Sequence, residues 1–142
     1  MPGERPALIQ VVSLQRDGRQ EETALRRTYS GALRSLPQGP ALAYMETDEQ
    51  GANTRVLLAA EAEGIRLRRE GLCSTDLLLA PGQERASAYE TPYGAMELTV
   101  RTHEAVWLAD GQSARVRLRY DVYVAGELLS QNEIRVACRA KP

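Results

Sequence analysis

Residues 114–125 read Ala-Arg-Val-Arg-Leu-Arg-Tyr-Asp-Val-Tyr-Val-Ala. Val116, Leu118, Tyr120, Val122 and Val124 fall on one parity, and Arg115, Arg117, Arg119, Asp121 and Tyr123 on the other. A strict period of two gives a strand with one dry face and one wet face. A helix would scatter the three arginines around its circumference, so this segment excludes the helical reading.

The same test extends in both directions. Met96, Leu98, Val100 and Thr102 alternate with Glu97, Thr99 and Arg101, and a shorter strand from His103 or Glu104 to Leu108 follows. Leu128, Asn132, Ile134, Val136 and Cys138 alternate with Glu133, Arg135, Ala137 and Arg139. The joints at 109–112 and 125–127 are short and glycine-bearing, as hairpin turns require, so the last third reads as a meander. Upstream, strands are expected over 7–15, 21–31, 41–47, 53–60, 65–70, 75–79 and 86–91, with a tight hairpin at Asp17-Gly18 and a turn at 37–40. No helix is expected, because 77–80 is short and runs into Pro81. The expectation is an all-β chain, one domain over 1–142 with its core over roughly 7–138. It closes as a single antiparallel β-barrel of about eight principal strands, because closure removes the edges that invite foreign pairing.

Composition bounds the chemistry. The 142 residues suit one domain, and 43% apolar with 26% charged is a globular balance. A net charge of −1 gives no global attraction to nucleic acid or to an anionic membrane. No apolar run suits a secretory signal or a bilayer span, so the expected location is cytoplasmic, with no membrane partner. One histidine and two distant cysteines, Cys73 and Cys138, fall short of a metal site or a disulfide scaffold. There is no nucleophile elbow and no phosphate loop. No catalytic residue, metal or cofactor is expected, and His103 reads as a surface residue.

Tyr89-Glu90-Thr91-Pro92-Tyr93-Gly94 precedes the meander, with Tyr44-x-Glu46, Thr54 and Arg69-x-Gly71 upstream and Tyr120-Asp121 within it. Together these resemble the YwiB-like family, small bacterial proteins of unknown function, over residues 8–138. The resemblance implies a closed barrel similar to the calycins, the lipocalin-like folds. It carries over no catalytic residue. Arg27 stands where that resemblance leads one to expect an apolar side chain beside Leu25.

Parity also brings charged groups inward. Glu46 shares a face with Leu42 and Tyr44, and Arg69 shares one with Ile65 and Leu67. Burying either charge alone costs several kcal/mol, roughly, so a Glu46–Arg69 pair is expected near a barrel end. Tyr44, Tyr89 or Tyr93 would complete a network with it, and Arg27 with Tyr29 would add a second polar element. Such a network either fixes the register and plugs the barrel, or lines a cavity for a small apolar or anionic ligand. On the wet face, Arg101, Arg115, Arg117, Arg119 and Arg135, with Arg139, form either a plain solvated surface or a site for a protein or RNA. The readings in order are a non-enzymatic ligand-binding barrel, a surface interaction module, and an enzyme of unidentified class, as monomer or homodimer. The interior discriminates: a filled one moves attention to the arginine face.

Overall fold

The computed structural model describes residues 3–142. Ten strands run in chain order: β1 (Glu4–Asp17), β2 (Glu22–Leu36), β3 (Gly39–Thr47), β4 (Asn53–Ala60), β5 (Ile65–Glu70), β6 (Ser74–Leu79), β7 (Glu84–Thr91), β8 (Gly94–Asp110), β9 (Ser113–Val124) and β10 (Glu127–Ala140). Each pairs antiparallel with its sequence neighbours, and β1 pairs with β10 to close the ring. The expected count of about eight is corrected to ten. The short strands β5 and β6 are full members of the ring, because leucines at inward positions bury them as deeply as the long strands.

Two bulges reset the phase that the sequence alternation alone would carry through. In β8 the register against β9 slips between Thr102 and Glu104, so the two expected strands are one. His103 and Glu104 lie outside, and Ala105 and Trp107 return to the interior parity opposite Leu118 and Val116. In β10 the slip between Leu128 and Ser130 turns Leu128 to the side of Tyr123 and brings Ser130 inward opposite Val122.

Two turn chemistries shape three of the hairpins. Ala125 and Gly126 have φ of 51° and 82°, the pair of left-handed residues that a two-residue type I′ turn needs. The β1–β2 connection is wider than a tight Asp-Gly hairpin: Asp17 Oδ1 accepts the N–H groups of Arg19 and Glu21, both at 2.9 Å. The β3–β4 connection repeats the device, with Asp48 Oδ1 accepting from Gln50 and Ala52 at 2.9 Å. The residue three after each aspartate, Gln20 or Gly51, takes positive φ. The weakest joint lies between β6 and β7, which pair only at Ser74–Glu90 and Thr75–Tyr89. The Ser87 hydroxyl donates to the Asp76 carbonyl at 2.9 Å just beyond them.

The interior is apolar and filled. Ile9, Leu42, Leu58, Leu67, Leu79, Leu118, Val56 and Val116 are its largest fully buried side chains. Side chains with no surface open to a water-sized sphere border no water-sized void, so the middle of the barrel has no room for a ligand. Dry inside and charged outside is the inverse of an outer-membrane barrel. No helix among the described residues is long and apolar enough to cross a membrane.

Candidate functional site

The two barrel ends differ. One end carries the β2–β3, β4–β5, β6–β7 and β8–β9 turns and both termini. The other carries the remaining five turns.

At the five-turn end the sequence-derived polar cluster assembles in part. Arg69 Nη1 donates to Glu46 Oε1 at 2.7 Å. The pair reaches across β4, because Arg69 is opposite Val56 and Glu46 opposite Thr54. The Tyr29 and Tyr44 rings stack beside it, centroids 4.7 Å apart. Burial pushes the Tyr44 phenol well above its usual range, and the Arg69 charge opposes that shift. Burial raises Tyr29 as well, aided by the negative Glu46, and it raises Tyr120 against Arg69. The guanidinium thus sits within electrostatic reach of three tyrosines. Among the described residues, no hydrogen bond joins a tyrosine hydroxyl to the Glu46–Arg69 pair. Tyr89 lies elsewhere, where the neighbouring Cys73 thiol, and then burial, push its phenol above the usual range. Arg27 holds the inward register opposite Val11 but is exposed, and among the described residues it bonds only the Arg26 carbonyl, at 3.3 Å. Tyr93 is 99% exposed at the β7–β8 turn, which Thr91 Oγ1 closes by accepting from the Tyr93 N–H at 3.1 Å.

The raised phenols fix a pH dependence. In the unfolded chain a tyrosine ionises near pH 10, roughly. Folded Tyr44 and Tyr120 keep their protons to higher pH, so above that value the unfolded state is the one that gains by deprotonation. Stability is whole below about pH 10 and falls as pH rises beyond it. A Tyr44→Phe variant is expected to flatten that alkaline fall in urea-unfolding midpoints. An unchanged slope contradicts the assignment.

On the wet face, the ladder registers set out a grid across β1, β10, β9 and β8. From the terminal end its rows are Leu8, Arg139, Ser113 and Asp110; then Gln10, Ala137, Arg115 and Leu108; then Val12, Arg135, Arg117 and Val106; then Leu14, Glu133, Arg119 and Glu104. Arg117 reaches Glu104 at 3.4 Å and Glu133 at 3.6 Å, and Arg135 reaches Glu133 at 3.3 Å. Arg119 stands 3.9 Å from Glu104. Arg101 lies before the β8 bulge and pairs with Glu84 at 3.5 Å. Among the described residues, no carboxylate lies within ion-pairing distance of Arg115 or Arg139. Leu108 is 63% exposed and Leu8 49% exposed. A groove of about 430 Å³ runs over Val12, Val106, Leu108, Arg115 and Arg135.

Sequence reasoning missed one pair. Asp121 is buried on the outer parity and meets His103 Nε2 at 2.8 Å. The bulge at His103 makes that contact. The odd spacing from Thr102 to Ala105 and Trp107 was its one sequence signal. Among the described residues, no group of three or more histidine, cysteine, aspartate or glutamate side chains could hold a metal ion.

A family model described as "Domain of unknown function (DUF1934)" matches residues 9–136. No curated protein matches the chain. Among solved structures, the crystal structure of the ywiB protein from Bacillus subtilis is similar, with a TM-score of 0.85 and 17% sequence identity. The match covers 100% of this chain and 96% of that one. At that identity the likeness shows the fold, a closed YwiB-like β-barrel.

Proposed function

The chain belongs to the family described as a domain of unknown function (DUF1934), and from that premise we propose that it is a non-enzymatic interaction module. Its outer face of β1, β10, β9 and β8 docks an acidic, partly apolar segment of another protein. The observation that carries this reading is the juxtaposition of exposed Leu108, Leu8 and Val106 with Arg115 and Arg139, which have no carboxylate partner among the described residues. Exposed apolar groups rimmed by charge mark interaction surfaces. The three rows nearest the termini hold four arginines, Arg115, Arg117, Arg135 and Arg139, against the single carboxylate of Asp110. Their field favours an acidic partner.

A protein fits this face better than RNA. Glu104 and Glu133 already hold Arg117 and Arg135, and they repel phosphates. Tyr123 is the one aromatic side chain on the β9 outer parity, too few for a base-stacking platform. The same reading places the protein in the cytoplasm, where the free thiols Cys73 and Cys138 are stable.

The test is a titration of the labelled protein, followed by NMR, with a synthetic peptide of alternating glutamate and leucine. A single-stranded RNA oligonucleotide forms the second arm. The reading predicts peptide-induced shifts at Val106, Leu108 and Arg115 that weaken with salt. It predicts at least a tenfold loss of affinity in Leu108→Asp and in Arg115→Glu, roughly the effect of losing one well-placed contact. Shifts confined to the RNA arm, or no shifts in either, overturn it.

A further inference from the structure

The strand β2 is 15 residues long and β3 only 9. The ladder with β1 runs along β2 as far as Glu22 opposite Arg16, whereas the ladder with β3 stops at Ala32 opposite Ala43. Continued, the β2–β3 register would bring Thr47, the last residue of β3, opposite Thr28. Residues 22–27 therefore run past the end of β3. Along this stretch one edge of β2 offers its N–H and C=O groups to no strand among the described residues. The side chains from Glu22 to Thr28 are exposed on both parities, Leu25 included. An open edge of this kind is a template for another strand.

The edge reads Glu21-Glu22-Thr23-Ala24-Leu25-Arg26-Arg27. Charge of one sign would blunt an open edge against pairing with its own kind. Here the signs are segregated, two carboxylates before Ala24 and two guanidiniums after Leu25. Two copies set antiparallel about a two-fold axis between their Ala24 residues bring Glu22 opposite the partner's Arg26 and Glu21 opposite the partner's Arg27. Each contact occurs twice. Glu22 and Arg26 share one parity and Glu21 and Arg27 the other, so each pair falls on a single side of the sheet. Arg16 already holds Glu22 from β1 at 3.1 Å, which makes a row of Arg16, Glu22 and the partner's Arg26. The register is unique. With the axis at Leu25, Arg26 faces Ala24 and Arg27 faces Thr23; with it at Thr23, Glu22 faces Ala24 and Glu21 faces Leu25.

We propose that the chain self-associates through this edge. The β2 strands of two copies pair antiparallel over residues 21–27, and a continuous β1–β2–β2–β1 sheet joins the two barrels. The occupant is a second copy because the segment is its own charge complement in one register and in no neighbouring one. The paired stretch is short and its ion pairs are exposed, so the dissociation constant is expected to be on the order of tens of micromolar, at the weak end of specific interfaces. The outer docking residues Leu108 and Arg115 lie on β8 and β9, with β10 and β1 between them and this edge. Either proposal can fail without the other.

Sedimentation equilibrium of the full chain, from about 5 μM to about 1 mM, is the test, since a dimer of this strength crosses from monomer to dimer within that range. Raising the salt from about 20 mM to about 500 mM is expected to weaken it at least fivefold, because the pairs are screened. Two double variants separate the edge from any other contact: Arg26→Glu with Arg27→Glu, and Glu21→Arg with Glu22→Arg. Each sets like charges opposite one another across the axis and is expected to stay monomeric at about 1 mM. Mixed in equal amounts, the two regain every pair and are expected to form a heterodimer. All four positions are exposed, so the circular-dichroism spectra of both variants are expected to match wild type. A cross-link reads the register. In a chain carrying Cys73→Ser, Ala24→Cys is expected to oxidise to a disulfide-linked dimer and Thr28→Cys is not, because only residues on the axis come within disulfide reach of themselves. A wild-type chain that stays monomeric to about 1 mM overturns the proposal and leaves the edge to an extended segment of another protein. A dimer that survives in either charge variant, or variants that do not associate when mixed, overturns it as well.

Discussion

Gly31→Ala is expected to destabilise the barrel by about 3 kcal/mol or more, beyond the usual cost of an overfilled core. Gly31 lies on β2 opposite Ala7, at an inward position beside the β3 ladder. A Cβ there overlaps the Ala43 carbonyl oxygen and comes within 2.8 Å of Ile9 Cδ1 and 3.0 Å of Tyr44 Cβ. Ile9 is fully buried and Tyr44 is stacked on Tyr29, so neither can step aside, and the carbonyl belongs to a paired strand. The added methyl must push β2 and β3 apart. Urea denaturation checks it, and Gly51→Asn is the control. Gly51 has φ +84° and nothing near its Cβ position, and asparagine tolerates that conformation, so the control is expected to stay within about 1 kcal/mol of wild type. Equal midpoints for Gly31→Ala and wild type contradict the packing described.

Leu118→Ala is the second large effect. Leu118 has no exposed surface and faces Ile134 on β10 and Ala105 on β8. Truncation of such a leucine costs about 2–5 kcal/mol, the transfer free energy of the lost carbons plus the cavity left behind. Leu108→Ala on the neighbouring strand is the matched comparison. At 63% exposure it is expected to change stability by about 0.5 kcal/mol or less. The contrast reads the bulge at His103 directly. Without the phase slip, Leu108 would share the inward parity of Thr102, and the two truncations would cost alike.

The barrel was legible where alternation is unbroken. Val116, Leu118, Tyr120 and Val122 are inside and Arg115, Arg117 and Arg119 outside, as a period of two dictates. The Glu46–Arg69 contact was legible for the same reason: two charges on a buried parity compel each other. Alternation fails at bulges, because one extra residue flips every side chain beyond it. For that reason Trp107, the His103–Asp121 contact and the inward turn of Ser130 could not be read from parity. The pocket lined by Arg5, Leu33, Pro40, Trp107 and Ala114 at the end that carries the termini was hidden for a different reason. It joins β1, β2, β3, β8 and β9 at one end, and no local pattern says which strand ends converge. Tyr93 shows the converse limit. Its hexapeptide is distinctive as a sequence because Thr91 and Gly94 build a tight turn, and the tyrosine itself faces solvent.

The claim on which the rest depends is that the ring is closed and its middle full, so that recognition happens on the outer face. Xenon enters dry apolar voids and leaves packed cores untouched. Methyl spectra of the protein recorded under rising xenon pressure are therefore the direct measurement. The account predicts no saturable shifts at the methyls of Leu42, Leu58, Leu79 and Leu118. Saturating shifts at those four residues would reveal a central cavity and contradict it.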